Sequence, residues 1–242
     1  MSTVIVVPCY NEAGRWSADY WREIGATADL TLLFVNDGST DGTQSLIDAT
    51  RDEIGGRSLT LAQNAGKAEA LRRGLVAALE DSPRIVGYLD ADGAFPAPEV
   101  VRLVHLGEQL LPADGSEFDA VWSARVLMAG RDIRRHASRH YIGRIITTVL
   151  APVHKYEVYD TQSGYKLFRN DEELHRCLVE PFETRWFPDI ELLMRWQPVI
   201  GRPMRIWEEP VLGWHDVAGS KMNRSQYTRL VKDLSRLYRN RA

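Results

Sequence analysis

Cysteine is scarce in this 242-residue chain, which has only Cys9 and Cys177. Two thiols are too few for a disulfide framework and suit a reducing compartment. Long apolar runs are missing as well. None approaches the roughly 18 residues that a membrane-spanning helix needs. The N-terminus has no basic stretch ahead of Val4–Val7, so that run reads as a strand rather than a secretion signal. The expected location is cytoplasmic, either free or peripheral on the cytoplasmic face of a membrane. A large excess of one charge is also absent. Thirty Lys and Arg against 33 Asp and Glu leave a formal net charge of -3, which argues against a dedicated nucleic-acid binder. There is no repeat, low-complexity stretch or flexible linker, so 1–242 is expected to form one domain.

Apolar residues make up 44% of the chain and charged residues 26%, an ordinary globular balance with ample material for a core. The first half alternates short β-branched or apolar runs with helical patterns. Strands are expected at 3–8, 30–35, 58–63, 84–90 and 119–124, and helices near 16–28, 41–53, 64–80 and 97–111. That order implies a mostly parallel sheet covered on both faces, with ligands bound at the carboxyl ends of its strands. Those ends carry Pro8–Glu12, Asn36–Asp41, Asn64–Lys67 and Asp90–Asp92. Four polar clusters therefore converge on one rim.

Asp90-Ala91-Asp92 follows the apolar run RIVGYL. Two carboxylates at that spacing can share a hard divalent cation, Mg²⁺ or Mn²⁺, whose shell is completed by phosphate. A solvated acidic turn is the competing reading. Asp37 directly follows a buried strand, where it can bond a base or ribose. Asp41 reads as a helix cap. Tyr10 can stack on a base, and Asn11 and Glu12 can hold base or ribose, unless this is a plain connecting loop. Lys67 at a helix start is a candidate diphosphate contact. Cys9 reads as a small buried filler.

These four motifs, in this order and spacing, resemble glycosyltransferase family 2 of the GT-A fold. In the second half DTQSGYKLF (160–168), RWFPDIELL (185–193) and GSKM (219–222) are similar to the dolichyl-phosphate β-glucosyltransferase branch and its dolichyl-phosphate mannose synthase relatives. The resemblance covers nearly the whole chain. It implies a Rossmann-like sheet flanked by helices, with a nucleotide-sugar-binding half (1–124) and an acceptor half (125–242). It also implies inverting, metal-dependent transfer of a hexose from a UDP- or GDP-sugar to a polyprenyl phosphate. UDP-glucose is the favoured donor and GDP-mannose the next; the alternatives are a soluble small-molecule, glycan or protein acceptor and, in another class, a non-catalytic nucleotide-sugar binding module.

By the same resemblance Pro8, Tyr10, Asn11, Glu12, Asp37, Lys67, Asp90, Ala91 and Asp92 would line the donor. Asp90 and Asp92 would hold the metal. Asp189 would act as base or would position groups at the acceptor, and a helix N-terminal acid is its plain alternative. Arg125 and Arg139 would grip the acceptor phosphate, Gln162, Ser163 and Lys166 would line that side, and Ser220 and Lys221 would close over the diphosphate. His215 reads as a packing or surface residue before it reads as a ligand. Two apolar stripes, Ile142–Val153 and Tyr227–Tyr238, either meet a membrane interface or cover the core. Some relatives carry transmembrane helices or an N-terminal anchor that this sequence does not show, so any membrane contact is expected to be peripheral.

Overall fold

In the computed structural model the described residues are 2–134, 148, 150, 156–217 and 224–239, with side chains in the last stretch from Lys232 onward. Strand β1 (Thr3–Cys9) lies inside the sheet, a β-branched run buried on both faces. Its side chains alternate. Ile5, Val7 and Cys9 enter one core layer, whereas Val4 and Val6 enter the other. Strand β2 (Leu30–Asn36) pairs with β1 in parallel from Thr3↔Leu30 to Cys9↔Asn36. Strand β3 (Arg57–Thr60) lies beyond β2, and β4 (Ile85–Leu89) flanks β1 on its other side, both parallel. The intervening helices are α1 (Ala18–Gly25), α2 (Thr43–Ile54) and α3 (Lys67–Leu79).

The chain continues through α4 (Ala97–Leu110), β5 (Ala120–Ala124) and β6 (Asp132–Arg134). Then come β7 (Tyr165–Arg169), α5 (Glu172–Leu178), α6 (Pro188–Ile200), β8 (Ile206–Pro210), β9 (Gly213–His215) and α7 (Arg224–Arg239). The main sheet has the order β3-β2-β1-β4-β7-β5-β8, and β6 pairs with β9 in a small second sheet. All neighbours in the main sheet are parallel except β7, which runs antiparallel to β4 and β5. Tyr165 at the start of β7 lies opposite Leu89 at the end of β4. Residues 160–164 are thereby delivered to the rim where Asp90 emerges.

Two local starts differ from the sequence expectation. Helix α3 begins at Lys67, because Gly66 at φ 100 breaks the helical path. Asn64 therefore does not cap it. Strand β3 ends at Thr60, short of the expected 63. Of the two apolar stripes, the described parts face inward. Leu150, Phe187, Ile190 and Leu237 form a satellite core, with Leu234 and Tyr238 packed against it. The rest of 138–153 and the side chains of 224–231 lie outside the described residues.

Candidate active site

The carboxyl rim begins with the loops after β1 and β2, which are tied to each other. Asn11, in the left-handed region at φ 54, accepts from the Thr40 N–H through Oδ1 at 2.9 Å. Its own N–H donates to Ser39 Oγ at 3.0 Å. Glu12 is buried and clamped by Arg15, with Nη2 2.7 Å from Oε1. Asn11 thus ties the two loops and Glu12 braces its own loop through Arg15, while Tyr10 stands out at 46% exposure, open for stacking on a planar ring. Pro8 stays within β1. Asp41 accepts from Thr43 N–H at 3.0 Å, one residue before the N-cap Gly42 of α2 and so close to the expected cap.

Asp37 is 3% exposed, and its carboxylate grips the segment before α3. Ala65 N–H donates to Oδ1 at 2.6 Å, while Gly66 N–H and Asn64 Nδ2 donate to Oδ2 at 2.9 Å each. A carboxylate has about four acceptor sites, so one remains for a donor from outside. Burial pushes the Asp37 carboxyl up, against those backbone N–H groups and the Arg185 charge. Gly38 is obligatory in this packing. Its φ is 66°, and a Cβ there would stand 2.6 Å from Asn64 N.

Asp90 and Asp92 leave β4 beside this loop, with Ala91 buried between them. Lys67 Nζ lies 2.6 Å from Asp90 Oδ1. Burial alone would lower the Lys67 ammonium, but Asp90, Asp189 and Asp92 together raise it. The Asp90 oxygen is buried and paired with that charge, yet accepts no well-angled hydrogen bond. Burial and the Asp90 charge raise the Asp92 carboxyl, although Oδ1 accepts from Ala94 N–H at 3.1 Å. Two crowded carboxylates two residues apart, one of them raised by burial and by the other's charge, fit a hard divalent cation. Gly164 makes room for Asp90, since a Cβ there would lie 2.5 Å from Asp90 Cγ. Among the described residues one carboxylate trio is close enough to share an ion, and it lies elsewhere. Asp119, Asp171 and Glu173 gather at the amino end of β5, on the opposite rim. There Arg169, Arg202 and Arg205 already neutralise them.

Asp189 opens α6 and is buried, accepting from the Tyr88 hydroxyl and lying 3.2 Å from Lys166 Nζ. Lys166 lies beneath the site rather than on its surface. It is wholly buried, donates to the carbonyls of Ser163 at 2.6 Å and Thr161 at 3.1 Å, and stands 4.5 Å from the Trp122 ring centre. Burial lowers its ammonium against the pull of Asp189 and Asp160. Ser163 is buried too, with its hydroxyl 2.5 Å from Ser123 Oγ, so it braces β5 against the 160–164 loop. Gln162 is half-exposed on that loop. Arg125 is not a free cation. Asp160 holds it in a fork at 2.7 and 2.8 Å, and its guanidinium stacks 5.1 Å from Trp214. Among the described residues no side-chain hydrogen bond uses its Nη1, which leaves that nitrogen for another partner. His215 pairs with Asp132 at 2.7 Å, the surface role expected of it. Arg139, Ser220 and Lys221 lie outside the described residues.

Several participants escaped the sequence reading. Tyr88 and Asp160 lay inside quoted motifs, but their partners are 101 and 35 residues away. Arg185 had the same cover, in RWFPDIEL. Arg15 had only its position three residues after Glu12 as a signal.

A family model for glycosyl transferase family 2 covers residues 4–171, and the chain belongs to that family. It is a glycosyltransferase enzyme with the GT-A fold that the resemblance implied. Dolichyl-phosphate beta-glucosyltransferase ALG5C of Trichomonas vaginalis is 28% identical to it over 96% of this chain and 69% of that protein. The Saccharomyces cerevisiae and Homo sapiens dolichyl-phosphate beta-glucosyltransferases are each 27% identical, over 90% of this chain and 68% of theirs. Among solved structures, glucosyl-3-phosphoglycerate synthase from Mycobacterium tuberculosis shares the fold. Its complex with Mn²⁺, uridine diphosphate and glucosyl-3-phosphoglycerate superimposes with a TM-score of 0.65 at 22% identity, over 97% of this chain and 80% of that one.

Proposed function

We propose that this enzyme transfers a hexose from a nucleotide diphosphate sugar, UDP-glucose before GDP-mannose, to a polyprenyl phosphate of the dolichyl type, inverting the anomeric centre. In this reading residues 1–124 hold the donor and 125–242 the acceptor. The observation that carries it is the half-buried Asp90–Asp92 pair with Lys67 2.6 Å from Asp90, where Asp189 adds to the field that raises the Lys67 ammonium. The curated relatives named dolichyl-phosphate beta-glucosyltransferase support the acceptor and the sugar.

Mg²⁺ or Mn²⁺ held by Asp90 and Asp92 would neutralise charge on the departing diphosphate. Lys67, at the start of α3, adds a cation and a helix N-terminus to the same oxygens. The last acceptor site of Asp37 takes an N–H of the base, and Tyr10 stacks on the ring. A phosphate monoester is already anionic near neutral pH and needs little help from a base. Asp189, fixed by Tyr88 and Lys166, then orients the acceptor side rather than removing a proton. Arg125 offers Nη1 to the acceptor phosphate, and Arg139 adds a second guanidinium. Leu127, 73% exposed, and Met128 project from the loop just after Arg125, which suits peripheral contact with the membrane holding such a lipid. Among the described residues no helix is long and apolar enough to cross a membrane.

The test is transfer of radiolabelled sugar from UDP-glucose or GDP-mannose, in parallel, to polyprenyl phosphate with Mn²⁺ or Mg²⁺. Label in the organic phase with UDP-glucose is the expected result. Metal-dependent release of free sugar without lipid labelling would replace the lipid with a soluble acceptor.

A further inference from the structure

Arg185 belongs to none of the roles assigned so far, yet it meets the donor loop at four points. Its guanidinium donates through Nη2 to Asn64 Oδ1 and, at 3.4 Å, to the Asn64 carbonyl. Its side chain packs on Gly66, where an added Cβ would stand 3.0 Å from Nε and 3.1 Å from the arginine Cβ. Its carbonyl accepts the Ala68 N–H in the first turn of α3 at 3.1 Å. These contacts settle the orientation of the Asn64 amide. With Oδ1 turned to the guanidinium, Nδ2 must face Asp37, which it does at 2.9 Å. The Asp37 carboxylate is aimed by this segment and by little else, since all three of its bonds come from residues 64–66.

Arg185 is in turn held from behind. Its backbone N–H donates to Asp233 Oδ2 at 2.9 Å, and Asp233 is buried on α7. Arg236, one turn further along α7, donates to the Glu183 carbonyl at 2.5 Å. A continuous chain of bonds therefore runs from the C-terminal helix through Arg185 and Asn64 to Asp37.

We infer that Arg185 is the positioning residue for base recognition, and that Asp233 on α7 keeps it in place, so that the C-terminal helix controls donor specificity without touching the donor. The inference rests on the reading of Asp37 as the base contact. A charged hydrogen bond lost from this chain should weaken the base contact about tenfold. The metal contacts at Asp90 and Asp92 belong to another loop and should be spared, and Lys67, which follows the held segment directly, is anchored by α3 and by its 2.6 Å ion pair with Asp90.

The experiment is titration calorimetry on the full chain with Mn²⁺, using UDP, GDP and inorganic pyrophosphate as probes, with thermal melts alongside. Arg185→Ala should lose about tenfold in UDP affinity and most of the preference between UDP and GDP, with pyrophosphate binding within about twofold of wild type. Arg185→Lys, which keeps one donor toward Asn64, should recover part of the loss. Asp233→Ala should shift UDP the same way to a smaller extent, and it carries the test if Arg185→Ala does not fold. Wild-type UDP affinity and UDP/GDP ratio in folded variants would overturn the inference alone. Equal losses for UDP and pyrophosphate would also overturn it, by showing general loosening. A wild-type protein that binds neither nucleotide would overturn the donor reading and this inference with it.

Discussion

At the scale of single residues, the site depends on where buried charge is balanced. Lys166 and Asp189 are a buried ion pair with two carbonyls and a tyrosine hydroxyl as further partners. Removing one partner of such a pair leaves the other uncompensated, at about 3–5 kcal/mol. Lys166→Met should therefore destabilise the protein by that order in denaturant unfolding. Adding Asp189→Asn to Lys166→Met should recover part of the loss, because the stranded carboxylate is gone. Strict additivity of the two changes would show that the pair does not interact. Gly164 is the other sensitive position. Its missing side chain is what lets Asp90 lie over the 160–164 loop. Gly164→Ala should push Asp90 aside by about an ångström in a folded protein, and such a displacement near the chemistry costs about 100-fold in rate. Loss of Mn²⁺-dependent UDP binding in calorimetry, with a normal melt, would be the confirming pair of results. Normal metal-dependent binding would show that Asp90 is not the ligand.

At the scale of elements, the segment from β5 to β6 carries Arg125 at one end and an exposed apolar tip at Leu127 and Met128. Apolar side chains at such a tip favour the membrane boundary over water by roughly 1.5–3 kcal/mol each when fully buried. The double substitution Leu127→Asp, Met128→Asp should therefore lower transfer to polyprenyl phosphate in vesicles more than tenfold. UDP binding should stay unchanged. Equal activity on vesicles would remove this tip from membrane contact. Much of the element order is legible from sequence, because β1, β2 and β4 are apolar runs that end abruptly in polar residues. The parallel crossover rule then brings those ends together on one rim. What was illegible depends on long-range partners. Nothing local to Tyr165–Arg169 says that this strand inserts antiparallel between β4 and β5. That insertion is what buries Lys166, a residue type otherwise read as exposed. Arg125 read as a free phosphate grip for the same reason, since its partner Asp160 arrives on the same inserted segment. The expected helix 64–80 begins at Asn64 because polarity near a helix start is the whole local signal. Asn64's real partners, Asp37 and Arg185, lie on two other loops.

For the whole molecule, acid groups paired with arginine and the Asp90–Asp92 turn behave in opposite ways, and stability should show it. On the amino rim, burial would raise the Asp119 carboxyl, but bonds from Arg202 and Arg205 hold it far below the ordinary range. Asp160 follows the same pattern at the site, lowered from 3.8 to about 2 by Arg125 against its burial. Carboxylates with depressed pKa stabilise the fold above their unfolded value, and that stability is lost as pH falls through the folded value. For Asp160 this amounts to roughly 2 kcal/mol between about pH 4 and pH 2. Melting temperature should hold down to about pH 4 on this account and then drop steeply. Asp92 is the reverse case, raised by burial and by Asp90. Its ionised form therefore costs the fold stability near neutral pH, a cost that a cation bound as proposed would relieve. Asp92→Asn keeps the Oδ1 that accepts from Ala94 and removes the repulsion. In chelator it should melt at or above the wild-type temperature. With Mn²⁺ and UDP at about 100 times their dissociation constants, the wild type should gain about 2.7 kcal/mol. For a chain of this size that is worth several degrees, and the variant should gain little of it. A variant that melts well below wild type in chelator would show that Asp92 serves the fold rather than the donor site.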